Sequence, residues 1–446
     1  MKNDLTLFQN VAGVDWRLGP QAAASAVFYQ LNDGDAAWST LQARLRAHPP
    51  RVLVLNRRPP ADAGVPTVVA ADFLELQREL CDRFHPLPSV PLFGVTGTNG
   101  KTTTVELLLQ LARMGGKRGV SIGTLGVRDA DGEREDFGMT TPGYLQLRQL
   151  LHRHAPRTDF FVMEASSHAL DQDRLYGLLL AGAAWTSFTR DHLDYHGDME
   201  SYARAKEKIF DKLAPGACVY VPSTQTDLLH RLRGRTGLRP ATLPSVAEDR
   251  LPLYFRTSFN RENLACAWGL AEGLGVTAAA VDWEQLRPPP GRFHVREWQG
   301  RIAVVDFAHT ADAIDNVCRA IKESFPRHRL VVLFGCGGDR DRGKRPLMGA
   351  AAAKWADRIV VTSDNPRSED PQQIIADIRG GLSGHADVQE EPDRRRAVRS
   401  ALASLADGEI LLMAGKGHEN TIQIGERKIP YSDIEELELF LGNHDG

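Results

Sequence analysis

The chain has 446 residues, 42% of them apolar and 25% charged, with a net charge of −3; at roughly 150 residues per domain this suggests about three units, each able to bury a core. So weak a net charge leaves no electrostatic footprint for nucleic acid or an anionic membrane, and an anionic ligand must be held by local groups. Cys81, Cys218, Cys266, Cys318 and Cys336 are scattered without CxxC spacing, and no signal-like N-terminus or bilayer-spanning apolar run occurs, so a reduced cytoplasmic protein without disulfide frame, zinc site or membrane segment is expected.

In chain order, RVLVLNRRP and VPTVVAA read as strands and DFLELQRELCDRF as a helix, before the proline-rich break HPLPSVP. The apolar strands PLFGVTG, FFVMEAS, AAWTSFT and ACVYVP alternate with helical segments, which suits a largely parallel sheet covered on both faces. A second break falls at LRPPPGRF. Beyond it RIAVVDFA, RLVVLFGCGGD, DRIVVTSDNP and GEILLMAGKGHE each run from an apolar strand into a polar or glycine-rich loop, the end at which open α/β sheets bind ligands. The charged EEPDRRRAVR is expected to be a solvated helix start. The division is thus 1–88, 89–287 and 288–446.

The segment GVTGTNGKTTT (Gly94–Thr104) is a glycine-rich turn between an apolar strand and the helical VELLLQLARM. Glycines let backbone N–H groups curl around an anion and the following helix points its positive end at it; Lys101 can reach outer phosphates and the Thr102 hydroxyl can ligate magnesium. Val95 stands where the usual pattern has a glycine. Glu164 and His192 follow strands of the same sheet and are candidate magnesium ligands. His168 and His196 read equally as packed or surface residues, and Asp191, Asp194 and Asp198 as turn or helix caps.

Taken with IGTLG, TTP, MEASSHALDQDRL, TRDHLDYHG, YARAKEKIF, FNRENLA, PGRF, DFAHTAD, GCGGDRDRGKRPLMG, SDNPR and AGKGHE, in that order from about residue 92 to 420, the chain resembles the Mur ligase family, in the MurE branch that adds the third residue of the peptidoglycan stem. The resemblance implies a three-domain α/β architecture: a reduced N-terminal domain for the UDP-muramoyl acceptor, a P-loop ATPase centre and a Rossmann-like C-terminal domain for the incoming amino acid. It implies an ATP-dependent amide-bond ligase, working through an acyl phosphate in peptidoglycan synthesis, hence cell-wall biogenesis, cell shape and division. A monomer acting only on small molecules is expected.

By the same resemblance Gly97, Thr98, Asn99, Gly100, Lys101, Thr102 and Thr103 cradle ATP, with Asn263 near the adenine and Arg292, Asp306 and His309 beside the nucleotide. Thr102, Glu164, His192 and a carbamoylated Lys206 hold magnesium, and Lys101, Glu164, His192 and Lys206 form the reactive centre. Thr140, Thr141, Ser166, Gln172 and Arg174 grip the muramoyl peptide. Arg340, the run Asp364, Asn365, Pro366 and Arg367, then Gly415 and Glu419 form the amino-acid pocket. DNPR matches the diaminopimelate version of it, where an arginine fork can read the carboxylate that lysine lacks and Glu419 can pair with the distal ammonium. The chain departs from the family at VDWRLGP, with Trp16 where a serine is usual, at Thr257, and at Phe307 and Ala311. The first of these leaves a different carboxylate acceptor as the alternative.

Overall fold

The computed structural model describes residues 8, 10–15, 23–31, 35–129, 134–135, 137–245, 250–289, 291–384 and 387–442. Among them lie a four-stranded, an eight-stranded and a six-stranded sheet and a two-stranded hairpin. The eight-stranded sheet carries the glycine-rich loop. Its order is Leu238–Ala241, Val219–Pro222, Leu180–Trp185, Leu92–Thr96, Phe160–Glu164, Gly119–Gly123, Gly126–Arg128 and Arg134–Glu135. The first six are parallel and the last two antiparallel. Every residue of Leu92–Thr96 is buried, as a short apolar run covered on both faces should be. Helices Lys101–Met114 and Ser258–Gly273 pack on one face through Leu107, Leu108, Leu111, Leu264 and Leu270, and Leu147, Leu150 and Leu151 of Tyr144–His154 help fill the other. From Leu92–Thr96 the chain crosses first to one side of the strand and later to the other. The ends of Leu92–Thr96, Phe160–Glu164 and Leu180–Trp185 therefore open into one crevice, the usual ligand position in such sheets.

The six-stranded sheet runs His294–Trp298, Arg301–Asp306, Glu409–Ala414, Arg329–Phe334, Arg358–Val361 and Val388–Glu390, parallel apart from the first strand. Ala311–Ser324, Lys344–Ala353 and Pro371–Arg379 cover one face, Arg394–Ala403 and Asp433–Gly442 the other. The two edge strands and the hairpin Thr421–Ile424/Arg427–Pro430 were not expected from the sequence. EEPDRRRAVR needs a correction. Asp393 does cap the helix Arg394–Ala403, accepting from Arg396 N at 3.1 Å, but Arg394 is buried and ion-paired with the equally buried Asp433 at 2.6 Å. The partner lies far along the chain, where a local charge pattern cannot show it.

The four N-terminal strands Gly13–Asp15, Ser25–Tyr29, Val52–Leu55 and Thr67–Val69 are parallel, between Asp35–Ala47 and Phe73–Phe84. Arg148 of the central helix Tyr144–His154, 2% exposed, donates to the carbonyls of Cys81 and His85 and to Asp82, which fixes this unit against the central sheet. Trp16 lies outside the described residues.

Candidate active site

The glycine-rich loop needs its glycines for two separate reasons. Gly97 (φ 144°) and Gly100 (φ 87°) lie where L side chains are rare, and a Cβ would sit 2.0 Å from Thr186 Oγ1 at the first and 2.1 Å from Asn263 Oδ1 at the second. Gly100 is followed by the first turn of Lys101–Met114, which has no side-chain cap, leaving N–H groups for an anion. Lys101 Nζ folds over the loop onto the carbonyls of Gly97 and Thr98, 2.9 Å each. Lys206, on the helix Met199–Glu207 that starts from its Asp198 cap, reaches the same Gly97 carbonyl at 2.9 Å and lies 4.5 Å from the Tyr202 ring centre. Burial, with Lys101 beside it, pulls the Lys206 ammonium well below its usual range; burial also lowers Lys101, against the pull of Glu164 and Asp191.

Glu164 is 1% exposed and accepts from Thr102 Oγ1 at 2.9 Å, Thr124 N at 2.8 Å and Thr124 Oγ1 at 3.1 Å. Among the described residues no three His, Cys, Asp or Glu side chains form a ready metal cage. A buried carboxylate sharing a hydroxyl at a phosphate loop nevertheless suits magnesium, which takes few protein ligands and completes its shell with water and phosphate. His192 (φ 54°) sits beside Asp191, Nε2 to Oδ2 3.5 Å, and against the His168 ring at 5.0 Å. Burial, reinforced by Lys101, His168 and Lys206, outweighs Asp191 and holds the imidazole neutral, the form that can ligate. Asp191 is no turn cap. It is buried and, although burial works against its charge, Lys344 and His309, with the His192 backbone N–H that its Oδ1 accepts at 2.9 Å, hold its pKa below the usual range. His196 bonds Ser167 Oγ at 2.9 Å.

From Glu164 a chain of hydroxyls leads outward. Thr141 Oγ1 donates to the Glu164 carbonyl at 2.7 Å, and Ser166 N donates to Thr141 Oγ1 at 3.1 Å. Thr140 bonds Thr124 at 3.3 Å. Arg174 bonds the Thr141 carbonyl and Gln172, and Gln172 and Arg174 open into a cavity of about 590 Å³ against Phe28, Asn56 and Phe73 of the N-terminal unit, which Thr140, Thr141 and Ser166 do not line.

Two further cavities lie where the C-terminal sheet closes on the central one. The first, about 330 Å³, is lined by Asn99, Gly100, Thr103, Asn263, Arg292 and Asp306 among others. Asn99 Nδ2 spans it to Asp312 at 3.1 Å. Arg292 lies 4.4 Å from the Phe307 ring centre and its buried Nε has no hydrogen-bond partner among the described residues. Both Asp306 oxygens are taken by backbone, Phe293 N at 2.7 Å and Ala308 N at 2.8 Å, so Asp306 shapes the PGRF turn. The second cavity, about 180 Å³, joins Asp191 and His192 to His309, Arg340, Asp364, Asn365, Arg367, Gly415 and Glu419. His309 thus stands here and not in the first cavity. Pro366 does not line it but builds the turn, its carbonyl accepting from Glu369 N at 3.1 Å. Arg367 (φ 53°) is braced by the hairpin, its N–H on Gln423 O at 3.1 Å, while its Nη1 holds Gly338 O at 2.7 Å. Glu419 is not a bare charge: Lys416, fully buried, ion-pairs with its Oε2, and Asn365 Nδ2 donates to the same oxygen at 3.0 Å. The sequence reading passed over Lys416 and Lys344, although both lie inside quoted motifs, and gave Thr124 no role.

A family model described as the Mur ligase middle domain matches residues 95–241, and one described as the Mur ligase, glutamate ligase domain matches residues 291–417. The chain belongs to the Mur ligase family. It is an ATP-dependent, ADP-forming ligase of mixed α/β fold with largely parallel sheets. Curated Mur ligases similar to it include the UDP-N-acetylmuramoyl-L-alanyl-D-glutamate–2,6-diaminopimelate ligases of Geobacillus thermodenitrificans, 36% identical over 411 residues (84% of each chain), and of Lawsonia intracellularis, 38% identical over 388 residues (79% of this chain, 80% of the relative). Among solved structures, a ligase of the same name is 28% identical with TM-score 0.56, covering 98% of this chain and 96% of its own. MurF of Thermotoga maritima in complex with ADP shares the fold at 14% identity, TM-score 0.64, covering 93% and 95%. No helix among the described residues is long and apolar enough to cross a membrane.

Replacing Gly100 by alanine in this Mur ligase puts a left-handed backbone and a methyl group against Asn263. The backbone term alone is roughly 1–2 kcal/mol, so ATP affinity measured by calorimetry is expected to fall about tenfold in a protein with wild-type circular dichroism; unchanged affinity contradicts the loop geometry.

Proposed function

We propose that this Mur ligase joins meso-diaminopimelate to UDP-N-acetylmuramoyl-L-alanyl-D-glutamate, with ATP cleaved to ADP and phosphate, in peptidoglycan synthesis. The observation that carries the reading is the second cavity, in which Arg340, Asp364, Asn365, Arg367 and Glu419 face Asp191 and His192 of the phosphate-side crevice. Names of the similar ligases point the same way.

A carboxylate does not condense with an amine in water, so it must first acquire a leaving group. In this reading the acceptor carboxylate attacks the γ-phosphorus of ATP, the bond to ADP breaks, and an acyl phosphate forms. The uncharged amine of the incoming amino acid then adds to the acyl carbon, loses its proton and expels phosphate. Lys101 and Arg292 meet the charge that builds on the transferred group. Thr102, Glu164, His192 and Lys206 are the residues that would hold magnesium, whose charge on the phosphoryl oxygens is the chemistry it would supply when bound. Lys206 we read as carbamoylated: an amine kept uncharged by burial adds to carbon dioxide, losing a proton, and becomes an anionic oxygen donor. Asn99, Gly100, Thr103 and Asn263 would line the nucleotide, and Thr140, Thr141, Ser166, Gln172 and Arg174 the acceptor's peptide, of which Gln172 and Arg174 line the cavity against the N-terminal unit. The units would then divide as 1–88 for the acceptor, 89–287 for ATP and 288–446 for the amino acid, with the protein in the cytoplasm.

Arg367 tests the specificity. A charge-assisted bond of this kind is worth on the order of 1.5–3 kcal/mol. Arg367→Ala should therefore lower the ratio of ligation efficiency for diaminopimelate over lysine roughly ten- to a hundredfold, at saturating ATP and acceptor. A wild type that prefers lysine, or an unchanged ratio in the variant, removes the assignment. For Lys206, an inactive Lys206→Ala variant is expected to regain part of its ligation with millimolar short carboxylic acids; full activity of the alanine variant at low bicarbonate would show that no carbamate is needed.

A further inference from the structure

The amino-acid cavity is floored by two loops that leave different strands of the C-terminal sheet. One follows Arg358–Val361 and carries Asp364–Arg367; the other follows Glu409–Ala414 and carries Gly415–Glu419. These strands are not neighbours: Arg329–Phe334 lies between them, so no ladder hydrogen bonds set the spacing of the two loops.

At the cavity floor Asn365 ties the loops directly, its Nδ2 donating to Glu419 Oε2 at 3.0 Å and its Oδ1 accepting from Lys416 Nζ at 3.1 Å, and one further side chain bridges them from beneath. Arg394, 1% exposed, donates from Nη1 to the carbonyl of Ser363 at 3.2 Å and from Nη2 to that of Ala414 at 2.9 Å. Ser363 and Ala414 immediately precede Asp364 and Gly415, the first cavity residue of each loop. The guanidinium is itself fixed by a fork to Asp433, Nε to Oδ1 2.9 Å and Nη2 to Oδ2 2.6 Å, and Tyr431 OH donates to Asp433 Oδ1 at 2.6 Å. Above it the loops touch: a Cβ on Gly415 (φ 111°) would lie 2.7 Å from Asp364 Oδ2 and 3.9 Å from Arg394 Nη1. Fully buried ion pairs are weak contributors to stability and are often replaceable by apolar side chains, so stability alone does not account for a pair that spends two donors on these two carbonyls.

We propose that Arg394, held by Asp433 and Tyr431, is a positioning residue that sets the distance between the Asp364–Arg367 and Gly415–Glu419 loops and thereby the enzyme's affinity for the incoming amino acid. The proposal rests on the reading of this cavity as the amino-acid pocket. Arg394 does not line the cavity beside the phosphate loop, so its effect is expected on one substrate and not on ATP.

The test compares the wild type with Arg394→Lys, which keeps the charge for Asp433 but loses the fork, and with the apolar pair Arg394→Met/Asp433→Leu, which removes both charges. KM for diaminopimelate, KM for ATP and kcat are measured in the full-length enzyme, with peptide-level hydrogen exchange on the same proteins. The expected result for a folded variant is a KM for diaminopimelate raised tenfold or more, a KM for ATP within twofold of wild type, and faster exchange in 362–368 and 413–420 but not in 97–104. Equal rises in both KM values, an unchanged KM for diaminopimelate, or failure of both variants to fold assigns the pair to stability alone and overturns the proposal. A wild type that ligates no amino acid overturns the pocket reading itself, and the positioning role with it. That outcome is seen before any variant is made.

Discussion

The carbonyl oxygen of Gly97 accepts hydrogen bonds from two lysine ammonium groups, the half-buried Lys101 and the buried Lys206, at 2.9 Å each. Sharing one oxygen, the two nitrogens lie less than 6 Å apart. Two unit charges about 5 Å apart repel by roughly 3 kcal/mol at an effective dielectric constant near 20, before the cost of burying each is counted. Arg292 brings a third, half-buried cation, its Nη2 3.4 Å from Thr102 Oγ1, against the buried carboxylates of Glu164 and Asp191. Such a concentration of charge has two ways out. A bound polyphosphate neutralises Lys101 and Arg292, while Lys206 sheds its proton and becomes available for chemistry that an ammonium cannot do.

Around that centre three cavities open, each lined by a different set of elements. The phosphate loop belongs wholly to the central sheet, because a glycine-rich turn and a helix N-terminus are local features that need only one strand and one helix. The amino-acid cavity is divided: Asp191 and His192 come from the central sheet, the other named residues from the C-terminal one. Arg190 to Asp341 at 3.2 Å and Asn99 to Asp312 at 3.1 Å tie the two sides together. The second cavity is therefore complete only where the C-terminal unit meets the central one, and the acyl phosphate proposed here would need that meeting to shield it from water.

What the sequence made legible follows from how local each feature is. The phosphate loop, the buried strands and the DNPR turn are written in consecutive residues, and their residue types state their chemistry. Lys416 was missed because its burial depends on Asn365, 51 residues earlier, as well as on Glu419 and the Thr421 carbonyl. Arg394 was misread because a run of charged residues at a helix start looks solvated until Asp433 folds back onto it. Asp191 read as a turn cap for the same reason: the partners that hold it charged, Lys344 and His309, lie on another sheet. Glu164 and Lys206 are buried charges that a strand end and a family motif did mark; Lys416, Arg394 and Asp191 carried no such mark, since a charge is buried only where a distant partner makes burial tolerable.

Activation of an acceptor carboxylate by phosphoryl transfer before the amine arrives leaves an isotopic trace. Ligation with an acceptor whose terminal carboxylate carries heavy oxygen, followed by mass analysis of the released phosphate, reads it. One heavy oxygen atom is expected in each phosphate, because the carboxylate oxygen that attacks ATP leaves with the phosphoryl group. Unlabelled phosphate from a reaction that forms the amide would contradict that activation.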